Sequence, residues 1–361
     1  MKSIYILLLL FASIQITLAQ NSDDAIVKFN ETYELANIIL ALTEHGKTDK
    51  NEVSKNTAYY QEVMAYFDQY STHPLIAKVN YSREKWDKLL SFRTDAVAFE
   101  FNRERKLERT VKFYAMGKEI NEFEDHLNLI SDFAQKSGFL NFYNQHKSFY
   151  DSLQQLYEKS LMIPEVVSFL SREFKMSLKT KHQIIVSPLV GRMHCQRYFN
   201  KKSTSFINIP YYLYKANSVN DISRENLLSG LHMFFTEIDH DYVNPTTFKY
   251  KKLYKQNFIP VKWDKGSGYE KSTFATFNEY MTWAVYDIFL QVNFPDADDK
   301  ITNEWHEVNS SRGFFVSQFF ATKLSELYAK KSAEETMADL FPVMLNWCGE
   351  VADSLPALPE K

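Results

Sequence analysis

Only nine of the 361 residues are glycine, and this shortage constrains the fold more than any other feature of the sequence. Average usage would be about 7%. Glycine takes up left-handed backbone conformations without strain, so tight hairpins and phosphate-cradling loops depend on it. A many-stranded sandwich or barrel is disfavoured. No GxGxxG or GxxxxGK[ST] run occurs, and the closest pair, Gly266 and Gly268, has no third glycine at the needed offset, which argues against dinucleotide and Walker-type sites. The 29 Phe, 22 Tyr and 5 Trp supply bulk for an aromatic core between helices.

Lys and Arg number 42 against 45 Asp and Glu, for a net charge of −3, and neither sign forms a block. Nucleic-acid binding leaves a basic footprint, and none is present. Residues 1–19 read as a signal peptide: Lys2, an apolar run from Ile4 to Ile16, and the small-residue end Thr17-Leu18-Ala19. The run is shorter than the ~18 residues of a spanning helix, so an exported, soluble chain with no membrane association after cleavage is expected. Cys195 and Cys348 are compatible with one long-range disulfide or with two buried thiols. Asn30, Asn80 and Asn309 each open an Asn-X-Ser/Thr triplet.

From about residue 26 to 175 the apolar spacing is helical, which defines a helical N-terminal lobe over 20–175. Leu35, Ile38, Ile39 and Leu42 share one face of a helix that Gly46 is expected to cap. Helices are also predicted around Tyr59–Phe67, Trp86–Val97, Phe123–Phe133 and Phe139–Leu161. Residues 176–361 form a second lobe, integrated with the first. It opens with two strand candidates, 182–188 and 204–210. A helix capped by Ser223 follows and is predicted to stop at Asn244-Pro245, and another covers Phe274 to Phe289. Two more are expected at Phe314–Tyr328 and Ala333–Trp347.

Chemistry concentrates in Thr236-Glu237-Ile238-Asp239-His240, with Asn278-Glu279-Tyr280 on the later helix. Residues four apart share a helix face, so two His at that spacing can hold one zinc while the adjoining Glu activates a water. Here Thr236 stands where the first His would. An ExxH spacing alone arises on the order of once by chance in a chain of this composition. Its place at the end of an amphipathic helix, with Glu279 among aromatics on a second one, raises its value.

These residues, with Val243-Asn244-Pro245 after His240, resemble a family of exported bacterial proteins that carry a domain of unknown function similar to gluzincin-type, zincin-like metallopeptidases. The resemblance extends to Tyr33-Glu34-Leu35, to Ile185-Val186-Ser187-Pro188 and to Phe277-Asn278-Glu279-Tyr280. It implies an α+β, mostly helical, zincin-like fold with a small β-sheet and a pair of site helices. It also implies Glu237 as general base and His240 and Glu279 as zinc ligands.

The departure at Thr236 leaves two protein ligands where a catalytic zinc keeps three, so the divalent metal is in doubt. His232, one turn (~5.4 Å) before Thr236, Asp239 and His194 are the candidate substitutes. The expected function is an exported protein with a degenerate metal site that binds peptide or protein, with residual metal-dependent peptide or amide hydrolysis if a third ligand exists. The alternative is a non-enzymatic module for peptide or glycan with an aromatic groove and an incidental ExxH. Trp283, Tyr280 and Tyr286 read as core, Asp296, Asp298 and Asp299 as a solvated turn, and His306-Glu307 as no metal motif. Arg192, His194 and Arg197 read as a surface loop, or as an edge strand able to pair with a peptide. The Gly266/Gly268 pair, between the two site helices, predicts a mobile loop beside the cleft.

Overall fold

The computed structural model describes residues 25–49, 51–115, 118–177, 181–191, 194–198, 204–210 and 221–355. The signal-peptide segment and Arg192 lie outside the described residues. The fold is α+β and mostly helical.

The first described element is a strand, β1 (Ala25–Phe29), which the helical reading of 26–175 missed. Asn30 ends it and caps α1 (Glu31–Leu42), its side chain accepting the Tyr33 N–H at 2.7 Å. Every residue of α1 from Thr32 to Leu42 is buried, so this helix has no solvent face. Gly46 does not cap it. Thr43 ends α1 and starts α2 (Glu44–Thr48), and Gly46 lies inside α2, where a Cβ would fall 2.0 Å from the Leu40 carbonyl oxygen. The glycine permits a close backbone approach.

Around α1 pack α3 (Ala58–Phe67), α4 (Pro74–Lys78) and α5 (Trp86–Asp95). Two small antiparallel hairpins follow, β2 (Phe99–Phe101) with β3 (Leu107–Arg109) and β4 (Phe113–Ala115) with β5 (Lys118–Ile120). Next come α6 (Leu127–Ser137) and, in place of one helix over 139–161, α7 (Phe139–Gln145) and α8 (Lys147–Ser160). They break at His146, whose Nδ1 and N–H both turn to the last carbonyls of α7. Then α9 (Ile163–Phe174) leads to β6 (Lys181–Ser187), β7 (His194–Tyr198) and β8 (Thr204–Pro210).

The main sheet has the order β1-β6-β8-β7. The first three strands are parallel, and β7 runs antiparallel at the edge, with the β4–β5 hairpin close by but not paired to it. Alternation along β6 divides the interior: Ile184 and Val186 enter one apolar cluster and Ile185 the other. The first cluster holds α9 and the C-terminal helices, and the second surrounds α1. The cores separate within α8, where Tyr150 belongs to the second and Leu153 to the first. Each fully buried Phe or Leu contributes roughly 1.5–3 kcal/mol.

The C-terminal part is formed by α10 (Arg224–Lys249), α11 (Lys251–Asn257), α12 (Pro260–Trp263), α13 (Ala275–Asn293), α14 (Lys300–Ser311), α15 (Ser317–Lys330) and α16 (Met337–Val351). Ser223 caps α10 as expected. The helix does not stop at Asn244-Pro245 but runs through Pro245 to Lys249. Pro245 removes one backbone donor. Burial of Tyr242, Val243, Thr246 and Thr247 holds the helix together across that gap, and the Thr246 hydroxyl donates to the Tyr242 carbonyl at 2.7 Å. No helix among the described residues is long and apolar enough to cross a membrane. Cys348 is a buried free thiol. Asn30 is engaged as a cap and Asn309 is buried, which leaves Asn80 as the exposed triplet asparagine.

Candidate functional site

The two site helices, α10 and α13, lie side by side. This packing brings His240 to Glu279, with Nε2 3.4 Å from Oε1. Their side chains are 17% and 15% exposed, so the pair is sheltered but reachable. His240 Nδ1 faces Asn244 Oδ1 at 3.2 Å. Both ring nitrogens face oxygens, an arrangement that favours the protonated ring. Burial pushes the imidazole down, but the Glu279 carboxylate, with Asp239 and Glu237 adding charge, reverses this and holds it up at about 9.

The motif end of α10 is anchored from below. His182 Nε2 on β6 meets Asp241 Oδ2 at 3.1 Å, and the Tyr242 hydroxyl meets the Ser171 hydroxyl of α9 at 3.0 Å. On the partner helix, the Tyr286 hydroxyl donates to the Leu228 carbonyl of α10, and the Tyr280 hydroxyl donates to the Trp263 carbonyl at 2.6 Å.

Thr236 shares the His240 face, but its hydroxyl donates to the Met233 carbonyl at 3.2 Å. His232 is taken by the core: its ring stacks on Trp305 at 4.2 Å and meets Tyr286 edge-on at 4.8 Å. Burial, with the charges of His306 and Arg312, pushes it down to about 3. Asp239 is fully buried. The His194 side chain lies outside the described ones, although its backbone starts the edge strand β7 and is not a loop.

Zinc bonds of 2.0–2.2 Å at tetrahedral angles put two ligand atoms about 3.3 Å apart. The His240–Glu279 contact matches that spacing. The donor set still does not fit a catalytic zinc: the third position is Thr236, whose hydroxyl is bonded to its own helix, which leaves two protein ligands where three are needed. Among the described residues, no group of three or more His, Cys, Asp and Glu side chains is arranged to hold a metal ion.

Two neighbours escaped the sequence reading. Tyr269, 37% exposed, follows Gly268, and its phenol is pushed up by the Glu279 carboxylate first, then by burial and Glu237, while the charge of Arg312 opposes this. Arg312 ends α14 beside Gly313. Glycines with positive φ, +92° at Gly268 and +114° at Gly313, were the available signal. The loop that carries Gly266 and Gly268 is pinned and not slack. The buried Asp264 carboxylate accepts from the Ser267 N–H at 3.0 Å and from its hydroxyl, and the Lys265 N–H donates to the Gly313 carbonyl at 2.9 Å.

Trp283, Tyr280 and Tyr286 are core, at most 3% exposed, so they form no groove. Asp296 pairs with Arg224 at the surface. His306 is buried between Asp287 and Ser317, at 2.8 Å from each. Comparison with protein-family models, with curated proteins and with solved structures returned no match, so the likeness to zincins rests on the motif residues themselves.

Proposed function

We propose that the chain is an exported, gluzincin-like pseudoenzyme that binds an extended peptide or protein segment and does not hydrolyse it. The observation that carries this reading is the close pairing of His240 with Glu279, with Thr236 in the place of a third ligand. The packed helix pair, the motif spacing and the small sheet support a zincin-like reading, and Thr236 in the third ligand position argues against a catalytic metal. Glu237, without a metal-bound water to activate, contributes charge to the cleft. The antiparallel strand β7 stands at the edge of the main sheet. An edge strand offers backbone donors and acceptors to an extended segment, and the side-chain group then selects what is bound.

The test combines metal analysis with two peptide assays. Zinc titration should leave well below one ion per chain. Quenched-fluorescent peptides should stay intact, and a fluorescein-labelled octapeptide pool with random sequence should bind with a rise in anisotropy. One zinc per chain, together with hydrolysis that Glu237→Gln abolishes, would make the protein an active peptidase and overturn the reading.

A further inference from the structure

Arg312 is exposed at the end of α14, yet its guanidinium is held in place from several directions. Nη1 donates to Asn309 Oδ1 at 3.3 Å, and Asn309 is itself 1% exposed. The guanidinium carbon lies 5.7 Å from the ring centroids of both Trp283 and Phe314. The Tyr269 phenol lies near enough that the Arg312 charge pulls its proton affinity down. The turns that carry the two residues form one unit, because a Cβ on Gly313 would lie 2.8 Å from the Ser267 nitrogen, and the Tyr269 ring packs edge-on to Phe314 at 5.5 Å.

Among the described residues this cation has no counter-anion. Glu279 is paired with His240, and among the described residues no carboxylate lies within ion-pair distance of Arg312. Its charge nevertheless reaches His232, one turn before Thr236, and through Tyr269 it adjoins Glu279. A guanidinium has five donors in a planar fork, and Asn309 occupies only one of them. A fork seated on aromatic rings, oriented and open to solvent, is the arrangement that takes a carboxylate through paired hydrogen bonds.

We propose that Arg312, with Tyr269, binds a carboxylate of the peptide ligand and so anchors it beside the His240–Glu279 pair. The proposal rests on the peptide-binding reading above. A C-terminal carboxylate and an acidic side chain share this chemistry, so the experiment separates them.

Three fluorescein-labelled octapeptide pools, random over uncharged residues, are compared by anisotropy: one with a free C-terminal carboxylate, the same pool as the C-terminal amide, and the amide pool with one Glu. The free acid should bind at least about tenfold more tightly than the plain amide. Arg312→Met should abolish that difference, and Tyr269→Phe, which keeps the ring against Phe314, should narrow it. Arg312→Lys keeps the charge without the fork and should give an intermediate preference, which secures the test if the Met variant does not fold. Tight binding of the Glu-containing amide assigns the carboxylate to a side chain and upholds the proposal. Equal affinity for all three pools, or a preference that survives both Arg312 variants, overturns it while the peptide-binding reading stands. If no pool binds, that reading itself fails, and the proposal with it.

Discussion

Glu34→Gln should change how stability depends on pH. Glu34 is fully buried on α1, and its Oε1 accepts from the Tyr59 hydroxyl at 2.7 Å. Tyr59 in turn meets the Tyr150 hydroxyl at 2.7 Å. Among the described residues Oε2 has no hydrogen-bond partner, and neither do the Arg93 Nε and Nη1 or the Asn37 Oδ1 atoms. Burial pushes the carboxyl up to about 7 from an ordinary 4.5, against the opposing effects of Ser187, Tyr59, His146 and Arg93. At about 1.4 kcal/mol for each tenfold change in proton affinity, the difference is about 3 kcal/mol.

The folded carboxyl binds its proton more tightly than the unfolded one, so the native state holds the extra proton between pH 4.5 and about 7. This stabilisation is fully present below 4.5 and is lost as pH rises through about 7. Glutamine keeps the shape and cannot titrate. Urea unfolding followed by tryptophan fluorescence near pH 5 and near pH 8 should therefore show the native chain losing more stability than the variant, with a difference of about 3 kcal/mol at most. His240 adds a second loss, from 6.5 up through about 9, but it is common to both proteins and cancels. Parallel stability lines for the two proteins would refute a buried, titrating Glu34.

Two further substitutions test other parts of the account. Thr236→His supplies the missing third donor on the face of His240, and zinc titration should then approach one ion per chain, with His240 losing its proton on binding. No gain in zinc would mean that the helix pair does not hold zincin geometry. Gly46→Ala places a methyl group 2.0 Å from the Leu40 carbonyl oxygen and should cost about 2 kcal/mol or more in urea unfolding. Gly266→Ala, with nothing within 4 Å but φ at +94°, should cost only the backbone strain of about 1 kcal/mol. Equal losses would show that steric approach is not what selects Gly46.

Much of the site was legible because helical spacing is local. Glu237 and His240 must share a helix face, and Asn278-Glu279 on an apolar helix had few other uses. Strands were harder to read. β1 is a five-residue piece with Val27 as its one buried residue, and β7 is an edge strand whose sequence, His-Cys-Gln-Arg-Tyr, shows no apolar alternation. The Pro245 stop failed because tertiary burial of its neighbours outweighs one missing hydrogen bond.

The sequence alone determined the mostly helical character, the Ser223 cap and the motif with its missing histidine, since each depends on residues within a few turns of one another. Only the tertiary structure decided what that motif amounts to. Packing α13 against α10 turned Glu279 into the partner of His240, and Gly313 packed against the Gly266–Gly268 loop set Tyr269 beside Arg312. Those contacts join segments tens of residues apart, and distance along the chain carries no information about which side chains meet once apolar burial has chosen the packing.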